Sequence, residues 1–135
     1  MNYRYESESE TCFDNLSEDM LDQLLAQLDG IGNSYASLTA SDGNYVQAGG
    51  GPTFFTVEKR EIRQDGTFRH LKATLATEEQ DERRIIIGGS SVSVRADQLL
   101  DLPTVQQIFR AFHRGLTPSP SVVWQDITSM FQEIT

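Results

Sequence analysis

Ala36-Ser37-Leu38-Thr39-Ala40-Ser41-Asp42-Gly43-Asn44-Tyr45-Val46-Gln47-Ala48-Gly49-Gly50-Gly51-Pro52 is the stretch that decides the fold. Ala36, Leu38 and Ala40 alternate with polar residues, the period of a half-buried strand. Asp42-Gly43 signals a tight hairpin turn, and Tyr45 to Ala48 reads as the returning strand, broken by Gly49-Gly50-Gly51-Pro52. The pattern then repeats. Phe54 to Arg63 predicts a long strand, with Phe55 and Val57 alternating with Thr56 and Glu58. Asp65-Gly66 is a second hairpin signal, and Phe68 to Leu75 returns. After a polar loop from Thr77 to Glu82, the run Arg84-Ile85-Ile86-Ile87 predicts a short buried strand. Gly88-Gly89 turns it into another holding Val92 and Val94. Five to six strands joined by short turns make an antiparallel meander.

Helices flank this meander. Ser17 suits an N-cap and Glu18 and Asp19 a first turn, while Leu21, Leu24, Leu25 and Leu28 form one apolar stripe with Asp22 and Asp29 off it, toward water. Gly30 and Gly32 stop that helix. Pro103 opens a second helix, Val105, Ile108, Phe109 and Phe112 make its stripe, His113 and Arg114 favour its last turn, and Gly115 ends it. Ser121 to Trp124 reads as a short strand. Asp126 reads as the cap of a terminal helix with Ile127, Met130, Phe131 and Ile134 on one face, a stripe open to a partner or a dimer. Residues 1–16 read as an edge strand, with Tyr3 and Tyr5 on one side, followed by a flexible acidic segment. The expectation is one α+β domain over residues 1–135, with two to three helices packed on the sheet.

The net charge is −9. From Met1 to Asp29 eight acids face one base, Arg4, so that stretch carries −7 while the other 106 residues carry −2. Acidity at one end of a chain repels nucleic acid and anionic membranes and attracts basic surfaces. The bases after residue 30 are interleaved with acids, so no basic stripe is offered to nucleic acid. No apolar run approaches a membrane span, no signal peptide is expected, and the single Cys12 excludes an internal disulfide. The expected compartment is the cytoplasm.

Catalytic chemistry is hard to assemble from this composition. Cys12 lies among acids, which blunt a thiol nucleophile. His70 and His113 are isolated, with neither a cysteine cluster for zinc nor an evident nucleophile to serve. Gly49-Gly50-Gly51-Pro52 precedes a strand and lacks the Lys and Ser/Thr of a phosphate loop, so it and Gly88-Gly89 read as turn or bulge glycines. No catalytic residue, cofactor or metal is expected.

One combination is more specific. Asp42 to Pro52 runs into Phe54-Phe55-Thr56-Val57-Glu58-Lys59-Arg60; then come Ile86-Ile87-Gly88-Gly89, Phe109-Arg110-Ala111-Phe112 and Val123-Trp124-Gln125-Asp126-Ile127. This order resembles immunity protein family 1 of bacterial polymorphic-toxin and contact-dependent competition systems, over roughly Ser34 to Ile127. Gly49, Gly50, Gly51, Pro52, Gly88, Gly89 and Trp124 carry the resemblance as folding residues. It implies a cytoplasmic protein that binds and neutralises a cognate toxin domain, such as a basic nuclease or nucleic-acid deaminase, as a monomer or weak homodimer. The expected contacts are Glu6, Glu8, Glu10, Glu18, Asp19 and Asp22, with Glu78, Glu79, Asp81 and Glu82 as a second group. Glu18 and Asp19 equally suit helix capping. The alternative is a type III secretion chaperone, also small, acidic and α+β, which would bind an unfolded effector segment.

Overall fold

The computed structural model describes residues 2–116 and 122–131 and has an α+β architecture. In chain order the elements are β1 (Tyr3–Ser7), β2 (Cys12–Asp14), α1 (Glu18–Leu25), β3 (Tyr35–Ala40), β4 (Tyr45–Gly50), β5 (Phe55–Ile62), β6 (Phe68–Leu75), β7 (Glu82–Ile87), β8 (Ser90–Arg95), α2 (Leu102–Arg114) and β9 (Val122–Asp126). A 3₁₀ turn at Ala96–Gln98 precedes α2, and another at Thr128–Phe131 follows β9. Seven strands form one antiparallel sheet in the order β2-β1-β3-β4-β5-β6-β9, while β7 and β8 pair only with each other.

Register assigns the faces. Tyr5 pairs with Leu38, Leu38 with Val46, Val46 with Lys59 and Lys59 with Leu71, so these side chains share one side. Both helices cover that side. Leu21, Leu24 and Leu25 of α1 and Val105, Ile108 and Phe109 of α2 are buried against Tyr5, Leu38, Val46 and Phe55. Full burial of a side chain such as Leu25 or Ile108 contributes about 2 kcal/mol. The helices run antiparallel, because Glu18 meets Arg114 while Asp22 meets Gln106 and Arg110.

Local signals explain the helix ends. The Ser17 hydroxyl accepts the Met20 N–H at 3.2 Å, and Gly115 ends α2 at φ +70°. Asp101, one residue before α2, accepts the Thr104 N–H at 3.0 Å and its hydroxyl at 2.6 Å, so Asp101 rather than Pro103 sets the start. The Thr104 hydroxyl, then its N–H, holds the Asp101 carboxyl below the usual carboxylate range. A lowered folded-state value means this contribution is complete above the unfolded carboxylate range near about 4 and is lost as pH falls through the folded value. Asp101→Ala is therefore expected to cost about 1 kcal/mol, or about 4 °C in Tm, at neutral pH. Thermal melts across pH should show the difference from the parent protein shrinking as pH falls below the unfolded carboxylate range.

Several expectations are corrected. The six strands from β3 to β8 do not form one meander: β7 and β8 pair with each other, and among the described residues β1, β2 and β9 complete the sheet of β3 to β6. β1 is not an edge: it lies between β2 and β3, and Glu6 and Ser7 belong to it. The edge is β2, whose three residues are all exposed and so carry no alternation to read. Ile85 to Ile87 are not a buried strand, since Ile86 is exposed and its neighbours half-buried. Asp22 turns onto α2 rather than toward water. Gly49 and Gly50 are the last two residues of β4, so the strand breaks at Gly51-Pro52 rather than at Gly49. Within the described residues, the segment expected to form a terminal helix is a 3₁₀ turn, Thr128–Phe131, in which Met130 and Phe131 are exposed. Asp126 does accept the Thr128 N–H, while Ile134 and Ser121 lie outside the described residues.

Candidate partner-binding surface

The hairpin β7–β8 lies over the sheet face opposite the helices. Its turn, Gly88-Gly89, has φ of +58° and +79°, as a two-residue turn of matching twist requires. On the inner side Ile87 reaches Gly49, where any Cβ would stand 2.7 Å from Ile87 Cδ1. Bare backbone at Gly49 thus seats the hairpin. A polar latch completes the attachment. Glu8 Oε1 accepts the Ser34 N–H at 2.8 Å and the Ser34 hydroxyl at 2.6 Å, and Ser34 Oγ accepts the Gly88 N–H at 2.7 Å. Three segments far apart in sequence meet at Ser34, which is 1% exposed.

Beside the latch the loops converge. Gly50 N–H donates to Ser34 O, Gly51 N–H to Phe54 O, and Gly30 packs directly on the Gly51 carbonyl. This end carries exposed Ile31, Tyr35 and Phe54. A groove of about 340 Å³ runs from it along the open sheet face, lined by Tyr35, Ser37, Gln47, Thr56, Glu58 and Ile87.

The fold sorts charge between the two halves of the sheet. Residues 1–58 hold ten acids and one base, Arg4, a net −9; residues 59–135 hold ten of each, a net of zero. The first segment builds α1 and β1 to β4, one flank of the sheet up to the start of β5. The residues that build this flank therefore carry −9 of their own, further along the chain than the first 29 residues suggest. Bases from α2 return to only part of it: Arg110 holds Asp22 at 2.7 Å and Arg114 holds Glu18. Arg4 pairs with Asp14 at 2.9 Å, and the guanidinium holds that carboxyl below the usual range.

The expected contact residues thus separate. Glu6, Glu10 and Asp19 are exposed, and no base among the described residues forms an ion pair with them. Glu8 is committed to the latch, and Glu18 and Asp22 bind α2. Glu78 and Glu79 are exposed in the loop before β7, Asp81 lies 3.7 Å from Arg83, and Glu82 lies 3.4 Å from Arg84 and accepts the Ser93 hydroxyl. That loop enters β7 at the end away from Gly88, so the two acidic groups form no single patch. Trp124 lies on β9 with the Lys59 ammonium 4.4 Å from its ring centre, a packing role near the core.

Asp29, exposed in the same converging loops, belongs with Glu6 and Glu10. Its signal is readable in hindsight: no Lys or Arg occurs between Arg4 and Lys59.

The histidines are engaged within the fold. His70, 1% exposed on β6, receives Arg60 Nε–H at Nδ1 (3.0 Å) and meets Glu58 Oε1 from Nε2 (2.7 Å). With Nδ1 accepting, the neutral ring carries its proton on Nε2 and donates to Glu58. The Arg60 guanidinium sits 3.9 Å from the Phe68 ring centre, and Phe131 stacks on His70 at 4.2 Å. These contacts tie β5, β6 and the last 3₁₀ turn together. His113 at the end of α2 lies 5.0 Å from the Tyr3 ring. Cys12 is an exposed free thiol on the β2 edge. Among the described residues no group of three or more His, Cys, Asp or Glu is placed to hold a metal ion, and no described helix is long and apolar enough to cross a membrane.

No protein-family model matches the chain, and no curated protein is significantly similar to it in sequence.

Proposed function

We propose that this chain is an immunity protein that binds a folded toxin domain through its acidic flank and holds it inactive, without catalysis of its own. The observation that carries the reading is that residues 1–58, with ten acids and one base, build one flank of the sheet, and that α2 returns only Arg110 and Arg114 to it as ion-pair partners. A nuclease or nucleic-acid deaminase must attract phosphates, so its working surface is positive. A negative flank accelerates encounter with such a surface. The exposed Ile31, Tyr35 and Phe54 beside Glu6, Glu10 and Asp29 supply apolar area within a charged rim, the usual make-up of a specific interface. The resemblance to immunity protein family 1 points the same way, and the cytoplasm is where such a protein would meet its target.

The test is co-expression with the toxic domain encoded beside this chain. Survival of the cells and co-purification of a stable complex are the expected outcome. Cell death despite soluble expression of both proteins would overturn the proposal. Binding instead to an unfolded effector segment would establish the chaperone alternative.

A further inference from the structure

We propose that the free edge of β9 pairs with β9 of a second copy of this chain, antiparallel and two-fold about Trp124, joining the two sheets into one. Among the described residues the sheet ends at β2 on one side and at β9 on the other. Natural edges are kept from pairing by short strands, charge, proline or local distortion. The β2 edge has such protection: it is three residues long, ends on Asp14, and is followed by Asn15 at φ +53°. The β9 edge reads Val122-Val123-Trp124-Gln125-Asp126, with no lysine or proline and its single charge at the last position.

The direction of its backbone groups can be assigned. Ile127 N–H donates to His70 O at 2.9 Å, and the Thr74 hydroxyl donates to Val123 O at 2.9 Å, so odd-numbered residues point into the sheet. By the alternation of a strand, Val122, Trp124 and Asp126 direct their N–H and C=O groups outward. A two-fold axis at Trp124 sets Trp124 opposite its own copy and Val122 opposite Asp126 of the other chain. No like charges then face each other, and two aromatic rings meet across the strands.

Charge selects a second copy as the occupant. The β9 edge belongs to residues 59–135, which hold ten acids and ten bases, while residues 1–58, with ten acids and one base, build the flank that ends at β2. Two copies meeting at β9 bring the less acidic flanks together and hold the more acidic ones apart. A strongly basic partner would be drawn to the other side. Assembly at β9 also leaves the acidic flank open, so this inference stands independently of the function proposed above.

Sedimentation equilibrium on the full chain, together with nitroxide labels, tests it. With Cys12→Ser and Val123→Cys, labels at 123 in the two copies should lie within about 15 Å and broaden each other's spectra. Labels on the native Cys12, at the far edge of each sheet, should lie beyond about 40 Å. Val123 is 52% exposed, so Val123→Lys should leave Tm and circular dichroism unchanged while weakening dimerisation about tenfold. A single-chain mass up to about 200 µM overturns the proposal. So does a dimer whose Cys12 labels are close, or one that Val123→Lys leaves as tight as before.

Discussion

Gly30→Ala is expected to lower Tm by about 10 °C. Gly30 has φ +73°, and a Cβ there would run into the Gly51 carbonyl oxygen, which is backbone and has no rotamer to escape through. The left-handed conformation alone costs about 1–2 kcal/mol for a residue with a side chain. Separating the two loops adds a comparable amount, for a total of about 3 kcal/mol. Gly32 supplies the control. It has φ +74° with nothing within 4 Å of the place a Cβ would take, so Gly32→Ala should show the conformational cost alone. Equal losses of Tm for the two variants would show that the close approach of the loops contributes nothing.

Ser34→Ala should release the β7–β8 hairpin while leaving the seven-stranded sheet folded. The substitution removes the oxygen that accepts Gly88 N–H and the hydroxyl that donates to Glu8, leaving a carboxylate and an amide without these partners. Breaking such a partly buried, charge-assisted arrangement costs about 2–3 kcal/mol. Amide hydrogen exchange in Ile85 to Val94 should accelerate by about 30- to 100-fold, with β3, β4 and α2 little changed. Glu8→Ala should do the same more weakly, since Ser34 Oγ still receives Gly88. Uniform acceleration across the chain would mean that the hairpin and sheet unfold as one unit and that the latch is not a local fastening.

The sequence predicted those parts of the fold that depend on near neighbours. The stripes Leu21-Leu24-Leu25 and Val105-Ile108-Phe109 are the buried faces of α1 and α2, and Asp42-Gly43 and Asp65-Gly66 turn β3 into β4 and β5 into β6. Contacts between distant segments were not legible. Ile85-Ile86-Ile87 has the composition of an interior strand, yet its only strand partner is β8, and one isoleucine faces solvent because the hairpin lies on the sheet rather than within it. Glu8 reads as one of several solvated acids until Ser34, brought beside it by the pairing of β1 with β3, commits it to the latch. Asp22 and Glu18 read as open carboxylates until α2 lies antiparallel to α1 and presents Arg110 and Arg114. Composition carried the acidic bias of the candidate site, but only the strand order shows that residues 1–58 keep to one flank.

Capture of a basic toxin domain by this flank would make the association rate of the two purified proteins depend steeply on salt. The rate is expected to fall at least tenfold between about 50 and 500 mM NaCl, because screening shortens the reach of the field. Charge reversal at Glu6, Glu10 and Asp29 should reproduce much of that fall at low salt. A rate that is flat across this range and unmoved by the reversals would contradict it.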